Sequence, residues 1–392
     1  MAKEIIKSKI IGIDARLYGP TGLGLGRYIE EITNRLVKLD QTNQYIVFLS
    51  PASFKDCQIN QANVKKVIMP QRWYSLVEQI AWPFLIYRYR LDLLHVPHFN
   101  APLFCPCQLI ITIHDLILTK FPSHRASRLP RLLYWIKNLA YRLVIWSATR
   151  RALIILTVSE FTKRDIIDQL SVLADKIVVT YNGLTIVAAD DYQSIEADKD
   201  RLLRYNIKQP YLLYVGSAYP HKNLEWLVEL FRKWSQQQVG YQLVLVGRHD
   251  YFYNRLIEFT GKSLADSIIF PGFVPDDQLA GLYQRAAAYI FPSRYEGFGL
   301  PPLEAMNYGC PVISSDSSCL PEILGPAAEY FKDNCQESAM AAINRLLTDS
   351  NRRDDLIKEG FERIKLYSWD NCAEQTLENY RRILNKQNNA EN

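Results

Sequence analysis

The chain has 392 residues, of which 48% are hydrophobic and 22% are charged, and its net charge at pH 7 is +5. This length exceeds what one hydrophobic core usually supports, so the sequence predicts two domains of roughly 150–200 residues in an ordinary soluble globular protein. No stretch approaches about 18 consecutive apolar residues, which excludes a transmembrane helix, and the mild positive charge favours anionic ligands without requiring them.

The N-terminus and the cysteines indicate a cytoplasmic protein. The first residues, MAKEIIKSKIIGIDARL, are charged and lead straight into a strand-like run, without the apolar region and cleavage site of a secretory signal. The seven cysteines are scattered, and only Cys105 and Cys107 lie close together. Because this separation does not suit zinc ligands, we expect free thiols in a reducing compartment and no metal site.

Short apolar runs alternate with amphipathic helical stretches almost from end to end. In the first half the predicted strands are Lys9–Asp14, Tyr45–Leu49, Leu91–His95, Leu109–Ile113, Leu153–Val158 and Lys176–Thr180. In the second half they are Tyr211–Gly216, Gln242–Gly247, Ser267–Phe270, Ala288–Phe291, Pro311–Ser314 and Glu329–Phe331. The helices predicted between strands include Gly26–Leu39, Asn223–Gln238, Asp276–Ala287 and Gln336–Thr348. Short strands separated by helices predict βαβ units and parallel sheets.

A polar, weakly patterned stretch over 188–208 separates the two series of strands. The predicted domains are therefore 1–190 and 200–366, and both are of the doubly wound, Rossmann-like α/β class. In such folds ligands bind outside the carboxyl ends of the strands. Two facing sheets would place a cleft between the domains, which favours an enzyme with two substrates.

The segment from Phe291 to Met306, FPSRYEGFGLPPLEAM, leaves a strand, passes through a glycine-rich loop and enters a helix. Pro301 and Pro302 fit the first helical turn, where a backbone N–H would lack a partner in any case. We expect the amides of Phe298, Gly299 and Leu300 to face the cleft near the positive helix terminus. Such an arrangement suits a diphosphate or a hydroxyl-rich sugar.

Two carboxylates, Glu296 and Glu304, flank this loop, and a carboxylate can accept paired hydrogen bonds from the vicinal diols of a sugar. The segment resembles the Glu–seven residues–Glu signature of retaining glycosyltransferases, specifically glycosyltransferase family 4 with the GT-B fold. The likeness extends through Asn307–Asp316 and Leu320–Leu324 and covers most of residues 9–385.

The resemblance implies a division of labour between two domains. The second domain would bind the nucleotide sugar, with Glu296 on hydroxyls of the transferred sugar and Glu304 on the ribose. The amides of Phe298 to Leu300 would contact sugar and phosphate. The first domain would bind the acceptor. The last helix has its helical pattern over Trp369–Leu384, and the segment 369–387 would return to the first domain.

The segment Tyr214–Leu224, YVGSAYPHKNL, resembles the family's basic clamp for the donor diphosphate. A lysine just ahead of a helix can neutralise the leaving diphosphate, so we expect Lys222 to carry most of this charge. The family often has Arg before this lysine and, in some members, Arg after the strand glycine. In this chain His221 and Ser217 occupy those two positions. We expect Ser217 to contact the donor. Arg248, after another strand, is a candidate helper.

The glycines of Gly22–Tyr28, GLGLGRY, are predicted to lie between the first strand and its helix. Glycines let the backbone approach a ligand closely, and a helix start offers anion-binding amides. A dinucleotide-binding fingerprint is the rival interpretation, but the G-x-G-x-G spacing after a long loop fits it poorly. The resemblance implies that this loop closes over phosphates and acceptor, with Gly24 and Gly26 as donor contacts.

Histidines follow two predicted strands of the first domain. His114 ends the run ITIH, and the resemblance implies that it meets the transferred sugar close to the reacting carbon. His95, His98 and Asn100, in HVPHFN, are candidates for the acceptor pocket, with a structural role as the alternative. Ser159 precedes another predicted helix. We interpret it as a scaffold residue on the acceptor side that also contacts the acceptor.

A basic, aromatic stretch occupies the first domain, because Leu116–Ser159 contains no acidic residue. Its cations are Lys120, Arg125, Arg128, Arg131, Lys137, Arg142, Arg150 and Arg151, and its aromatic residues include Tyr134, Trp135, Tyr141 and Trp146. A second aromatic stretch contains Trp73, Tyr74, Trp82, Phe84, Tyr87 and Tyr89. Such helices can lie on an anionic bilayer, and the alternative is a solvated helix with its aromatic residues in the core. No recognition fold for nucleic acid accompanies the patch, so no nucleic-acid partner is expected.

The resemblance therefore implies a retaining hexosyltransferase in which His114, Glu296 and Lys222 carry the chemistry. We expect mannose from GDP-mannose to be transferred to a glycan or polyprenyl-linked glycan at the cytoplasmic face of a membrane. No cofactor is expected, and no metal, because Asp190-Asp191 falls in the linker and no Asp-x-Asp pair stands out. The alternatives are a transferase using a UDP- or ADP-sugar, a GT-B epimerase or phosphorylase, and a non-catalytic glycan-binding relative.

Overall fold

A computed structural model describes residues 8–121, 131–186, 202 and 204–391. Among these residues, one compact unit comprises 8–116, 131–183 and 368–391, and a second comprises 117–121, 184–186, 202 and 204–367. Arg125, Arg128 and most of the predicted linker, including Asp190 and Asp191, lie outside the described residues.

The first unit is built on parallel strands. They are β1 (Ile10–Asp14), β2 (Gln44–Leu49), β3 (Val64–Ile68), β4 (Leu93–Val96), β5 (Gln108–Ile113), β6 (Ile154–Thr157) and β7 (Ile177–Val179). They form one sheet in the order β3-β2-β1-β4-β5-β6-β7. Its helices are α1 (Leu23–Leu39), α2 (Pro51–Asp56), α3 (Leu76–Tyr89), α5 (Arg131–Arg151), α6 (Glu160–Leu170) and α14 (Trp369–Glu391).

Alternate residues of the central strands enter two separate cores, one on each face of the sheet. On β2, Tyr45 and Val47 pack with α1 and α14, whereas Ile46 and Phe48 pack against Trp82 of α3. Side chains alternate along a strand, and a parallel sheet is covered on both faces. This is why the strands read as continuous apolar runs.

The second unit repeats this construction. Its strands are β8 (Tyr211–Val215), β9 (Gln242–Val246), β10 (Ile268–Gly272), β11 (Ala288–Phe291), β12 (Val312–Ser315) and β13 (Ala328–Phe331), all parallel, in the order β10-β9-β8-β11-β12-β13. The helices are α4 (Ile117–Lys120), α7 (Leu224–Trp234), α8 (Tyr251–Thr260), α9 (Asp276–Arg285), α10 (Leu300–Asn307), α11 (Leu320–Leu324), α12 (Gln336–Thr348) and α13 (Ser350–Ile364). In the described part of the chain, no helix has the length and apolar character needed to cross a membrane.

The last helix, α14, is an integral part of the first unit. Tyr380 and Leu377 enter the same core as Ile29 and Leu36 of α1. At the surface, Arg35 Nε of α1 donates to Asp370 Oδ1 at 2.6 Å. The C-terminal helix therefore completes the α1 face of the first sheet.

Two elements differ from the sequence-based expectation. Strand β3 was not predicted, because its sequence VKKVI carries two lysines; as a half-buried edge strand, it does not need a continuous apolar run. Helix α1 begins at Leu23 rather than Gly26, so Gly24 and Gly26 lie in its first turn and not in the preceding loop. A short 3₁₀ helix over Pro20–Gly22 leads directly into α1.

We predict opposite effects for alanine at these two glycines. A Cβ at Gly26 would overlap the carbonyl oxygens of Leu17 and Gly19, whereas a Cβ at Gly24 would meet nothing within 4 Å. Gly26→Ala should lower the free energy of unfolding by about 1–3 kcal/mol, because the backbone must shift. Gly24→Ala should raise it by about 0.4–1 kcal/mol, because the unfolded chain loses freedom. Urea unfolding of both variants checks this, and equal effects would contradict it.

Candidate active site

The loop after β11 is fixed by the loop after its neighbour β12. The backbone N–H of Glu296 donates to Ser318 Oγ at 3.0 Å, and Cys319 Sγ donates to the carbonyl of Phe298 at 3.3 Å. Ser315 Oγ donates to the carbonyl of Ser293 at 2.5 Å. These bonds hold the loop at its beginning, middle and end.

The same loop leads into α10 through Gly299, whose φ of +92° places it in the left-handed region that favours glycine. Pro301 and Pro302 occupy the first turn of α10, and Leu300 is its first residue. The start of this helix therefore offers the backbone N–H of Leu300 and a positive dipole end four residues after Glu296, whereas the two prolines have no N–H. Phe298 is itself buried, and its ring lies 5.3 Å from that of Tyr367.

Lys222 and Glu296 form a nearly buried ion pair. Lys222 Nζ lies 2.6 Å from Glu296 Oε1, and the two side chains are only 15% and 10% exposed. The ammonium also lies 5.4 Å from the centre of the Phe291 ring. The sequence placed both residues at the donor site, and the structure brings them into direct contact although 74 positions separate them.

His221 adds no positive charge beside this pair at neutral pH. Burial, and to a smaller extent the neighbouring Lys222 ammonium, lower the pKa of His221 to about 4, against the opposing effect of Glu296. The carbonyl of His221 accepts from the backbone N–H of Arg294 at 2.9 Å, which joins the loop after β8 to the loop after β11. His221 is therefore a neutral packing residue where the family often has arginine.

The other donor-site candidates lie along the same edge of the second sheet. The carbonyl of Ser217 accepts from Tyr214 Oη at 2.8 Å. The exposed Arg248 follows β9, with its guanidinium 5.4 Å from the centre of the Phe273 ring. Glu304 is half-buried on α10, and its charge contributes to raising the pKa of Tyr283 and of Tyr289, after burial as the main cause.

In the first unit, His114 is held by a backbone carbonyl and an aromatic ring. Its Nε2 lies 3.1 Å from the carbonyl oxygen of Pro97, and its ring meets the edge of Tyr28 at a centroid distance of 4.6 Å. A carbonyl can only accept, so Nε2 carries the proton and Nδ1 is left as an acceptor. Burial lowers the pKa of His114 to about 4, partly opposed by the Pro97 bond, so this histidine is neutral at pH 7.

Of the two interpretations of His95, acceptor pocket and structural role, the structure supports the structural one, because this residue lies inside β4. Its Nδ1 is 2.5 Å from Tyr380 Oη and its Nε2 is 3.0 Å from Thr112 Oγ1. The side chain is fully buried, and burial lowers its pKa to about 3. His95 therefore joins α14 to the sheet and is not positioned to line an acceptor pocket.

His98 and Asn100 belong to a different cluster. His98 Nδ1 accepts from the backbone N–H of Asn100 at 3.2 Å, and its ring lies 4.0 Å from Phe99 and 5.0 Å from Trp73. Burial lowers the pKa of His98 to about 3. Asn100 Nδ2 donates to both carboxylate oxygens of Glu78, at 3.0 and 3.1 Å.

Beneath this cluster lies a buried charge network that the sequence does not predict. Arg16 Nη2 contacts Asp14 Oδ2 at 2.6 Å and Glu78 Oε1 at 2.5 Å, and all three side chains are almost fully buried. The local signal was the Asp-Ala-Arg run at the end of β1, but Glu78 lies 62 positions from Arg16 and no sequence pattern connects the two residues. The network fixes the position of Asn100 through Glu78.

Ser159 and Gly26 have structural roles, whereas Gly24 does not. Ser159 caps α6, its Oγ accepting from the backbone N–H of Thr162 at 3.1 Å. Gly26 allows α1 to pack against the carbonyls of the preceding loop, whereas Gly24 is exposed at the helix start. Of the two, only Gly24 keeps an open surface for the predicted donor contact.

Within the described ranges, no group of three or more His, Cys, Asp or Glu residues is arranged to hold a metal ion. Cys105 and Cys107 are free thiols, with their sulfur atoms 3.6 Å apart.

Comparisons with known proteins agree with this construction. A family model for group 1 glycosyl transferases matches residues 196–363, and one for glycosyltransferase family 4 matches residues 23–187. The O-antigen chain mannosyltransferase B of Escherichia coli is 30% identical over 379 residues, 91% of this chain and 96% of the relative. The O-antigen chain mannosyltransferase RfbU of Salmonella typhimurium is 28% identical over 308 residues, 78% of each chain.

Solved structures show the same fold at lower sequence identity. A sucrose-phosphate synthase from Thermosynechococcus elongatus superposes with a TM-score of 0.72 at 20% identity, covering 97% of this chain and all of that one. The Anabaena protein HepE, solved with UDP and glucose, gives a TM-score of 0.71 at 17% identity, covering 95% and 99%. The architecture is the GT-B fold, and the family models together with the 30% identical relative make the protein a glycosyltransferase. The chain belongs to glycosyltransferase family 4, as its sequence resemblance implied.

We predict strong energetic coupling between Lys222 and Glu296. Glu296→Gln should lower the free energy of unfolding by about 2–4 kcal/mol, because it leaves a buried ammonium without its counter-charge. The double variant Lys222→Met/Glu296→Gln should lose at least about 1 kcal/mol less than the sum of the single variants. Urea unfolding of the four proteins measures this coupling.

The matched control is the exposed pair Arg232–Glu229, whose side chains are 35% and 37% exposed. Glu229→Gln should change the free energy of unfolding by less than about 1 kcal/mol, because water and salt screen exposed pairs. Additive effects of the Lys222 and Glu296 substitutions would show that the pair is not coupled.

We predict that stability falls in mild acid. The pKa values of His114 and His221 are about 4, below the ordinary value of 6.5. Since the unfolded chain binds these protons more tightly, the contribution of each histidine is complete above pH 6.5 and is lost as the pH falls towards 4. At pH 5 the loss should be about 2 kcal/mol for each buried histidine.

Urea unfolding between pH 7 and pH 4.5 measures how the free energy of unfolding depends on pH. His221→Gln should reduce the slope of that dependence by the equivalent of roughly one proton. An unchanged slope in that variant would mean that His221 titrates normally in the folded protein.

Proposed function

We propose that the protein transfers mannose from GDP-mannose, with retention of configuration, to a hydroxyl of a growing glycan carried on a polyprenyl phosphate. The observation that carries the proposal is the likeness over 91% of the chain to a relative named as an O-antigen chain mannosyltransferase. Two further relatives, RfbU and the serotype-specific WbdA, also have mannosyltransferase in their names. The choice of guanosine diphosphate as the nucleotide of the donor rests on the family resemblance.

Lys222 is proposed to hold the leaving diphosphate together with the amides of Phe298 to Leu300. The ammonium has three N–H donors, and one is used on Glu296 at 2.6 Å. Another is therefore available to a phosphate oxygen without breaking the ion pair. The start of α10 adds amide donors and a partial positive charge, which stabilise the charge that grows on the departing diphosphate.

Glu296 and His114 are proposed to orient the transferred sugar. Glu296 has a second carboxylate oxygen for a sugar hydroxyl, while its first is neutralised by Lys222. His114 is neutral, with Nε2–H on the Pro97 carbonyl, so Nδ1 can accept a bond from a hydroxyl. A pKa of about 4 makes His114 a weak base near neutral pH, which favours an orienting role over proton abstraction.

The neutralised state of Glu296 supports same-face attack over a covalent glycosyl-enzyme. In that reaction the acceptor oxygen forms a bond to the anomeric carbon while the bond from that carbon to the phosphate oxygen breaks. The acceptor proton passes to the leaving phosphate oxygen. We propose that no metal ion takes part, because Lys222 and the loop amides supply the charge that a metal supplies elsewhere.

We predict that GDP-mannose, but not UDP-glucose or ADP-glucose, raises the melting temperature of the protein. A ligand present at about 100 times its Kd stabilises the native state by about 2.7 kcal/mol. Glu304→Ala should abolish this shift, and Glu296→Ala should lower turnover more than donor affinity. Glu258→Ala, an exposed glutamate of the same unit, should leave both unchanged.

Product analysis completes the test. The anomeric proton–carbon coupling in NMR should report an α-mannoside, and turnover should persist in excess EDTA. Stabilisation by a UDP-sugar alone would overturn the proposed donor. Release of free sugar, or a requirement for inorganic phosphate, would indicate an epimerase or a phosphorylase instead.

A further inference from the structure

Helix α3 of the first unit turns a stripe of large apolar side chains towards solvent. Leu76, Ile80, Phe84 and Tyr87 are spaced by four, four and three residues, and Val77 lies beside them. Leu76 is 85% exposed and Tyr87 is 83% exposed. Residues at this spacing lie on one face of a helix, so the exposed side chains form one continuous stripe.

The opposite face of α3 is already packed against the sheet. Trp82 and Ile86 are buried in the core with Phe48 and Leu94. Glu78 is fully buried as well, where it pairs with Arg16. The helix is therefore apolar on both faces, although only one face contributes to the core of its own unit.

Helix α5 repeats this feature. Trp135, Leu139, Leu143 and Trp146 have the same spacing as the stripe of α3, and Ile136 lies beside them. All five are more than half exposed. Its other face contributes Ile145 and Ala148 to the same core that Trp82 enters, so α3 and α5 cover the same face of the sheet.

The loop after β4 joins the two helices. Gln79 Oε1 of α3 accepts from the backbone N–H of Leu103 at 2.6 Å, and Arg151 of α5 donates to the carbonyls of Leu103 and Cys105. Phe104, between them, is 64% exposed. The two stripes and this loop thus form one surface, which we call the α3–α5 surface.

The charges on this surface have one sign. Lys137, Arg142 and Arg150 of α5 are exposed, as is Arg88 of α3, and the Arg150 guanidinium lies 4.9 Å from the centre of the Trp146 ring. The only acidic residue of the two helices is the buried Glu78. A cation next to an aromatic ring suits the boundary between lipid headgroups and acyl chains.

We propose that the α3–α5 surface binds peripherally to an anionic lipid bilayer. The apolar stripes enter the boundary between headgroups and acyl chains, and the flanking cations contact lipid phosphates. Large exposed apolar patches mark interaction sites in soluble proteins. A second copy of the chain is a poorer occupant, because two such surfaces would bring like charges together.

The test is co-sedimentation of the full chain with vesicles of phosphatidylcholine and phosphatidylglycerol, compared with phosphatidylcholine alone. The chain should bind the anionic vesicles, and 0.5 M salt should weaken the binding. Ile80→Glu/Phe84→Glu should lower vesicle affinity by about tenfold or more, because it removes two inserted side chains. Arg142→Gln/Arg150→Gln should lower it on the anionic vesicles only.

The matched control is Val239→Glu/Leu366→Glu, which places the same charges at two exposed apolar positions of the second unit. It should bind like the parent. Equal loss in both pairs of glutamate variants, or no binding by the parent at low salt, would overturn the proposal. A dimer of the parent that the α3 variant abolishes would assign the surface to a second copy instead. Binding is measured without donor, so its outcome is independent of which sugar is transferred.

Discussion

Hydrogen bonding between parallel strands determines where the chemistry of this protein is placed. Every strand of a parallel sheet runs in the same direction, so the loops that follow neighbouring strands meet at one edge. In the second unit this edge gathers Lys222 after β8, Glu296 after β11 and Ser318 after β12, although they come from distant parts of the sequence. The site is a consequence of the pairing order of the strands.

The charges gathered at that edge balance one another. Lys222 and Glu296 form a pair with no net charge, and burial keeps His221 neutral. An arginine at position 221 would leave a surplus cation, whereas here the start of α10 adds only a partial positive charge beside the neutral pair. Such a dipole is fixed by the fold, so it needs little reorganisation as charge develops on a leaving group.

Regular patterns made much of this architecture predictable. Buried strands such as β8 and β11 have continuous apolar runs, and the prolines of α10 mark a helix start. The edge strand β3 has no such run, because only part of it is buried. The contacts of Arg16 with Glu78, and of His95 with Tyr380, join residues 62 and 285 positions apart, and local sequence contains no trace of them. The structural role of His95 follows from its burial, and the residues next to it in the sequence do not reveal that burial.

The return of α14 to the first unit has a consequence for synthesis on the ribosome. Tyr380 and Leu377 fill a core whose other members, such as Ile29 and Leu36, are made at the very beginning of the chain. The intervening residues include the whole of the second sheet. The first unit therefore cannot complete its core while it emerges, and the second unit is synthesised in full before the first is closed. The unit that is synthesised first is thus the last to complete its core.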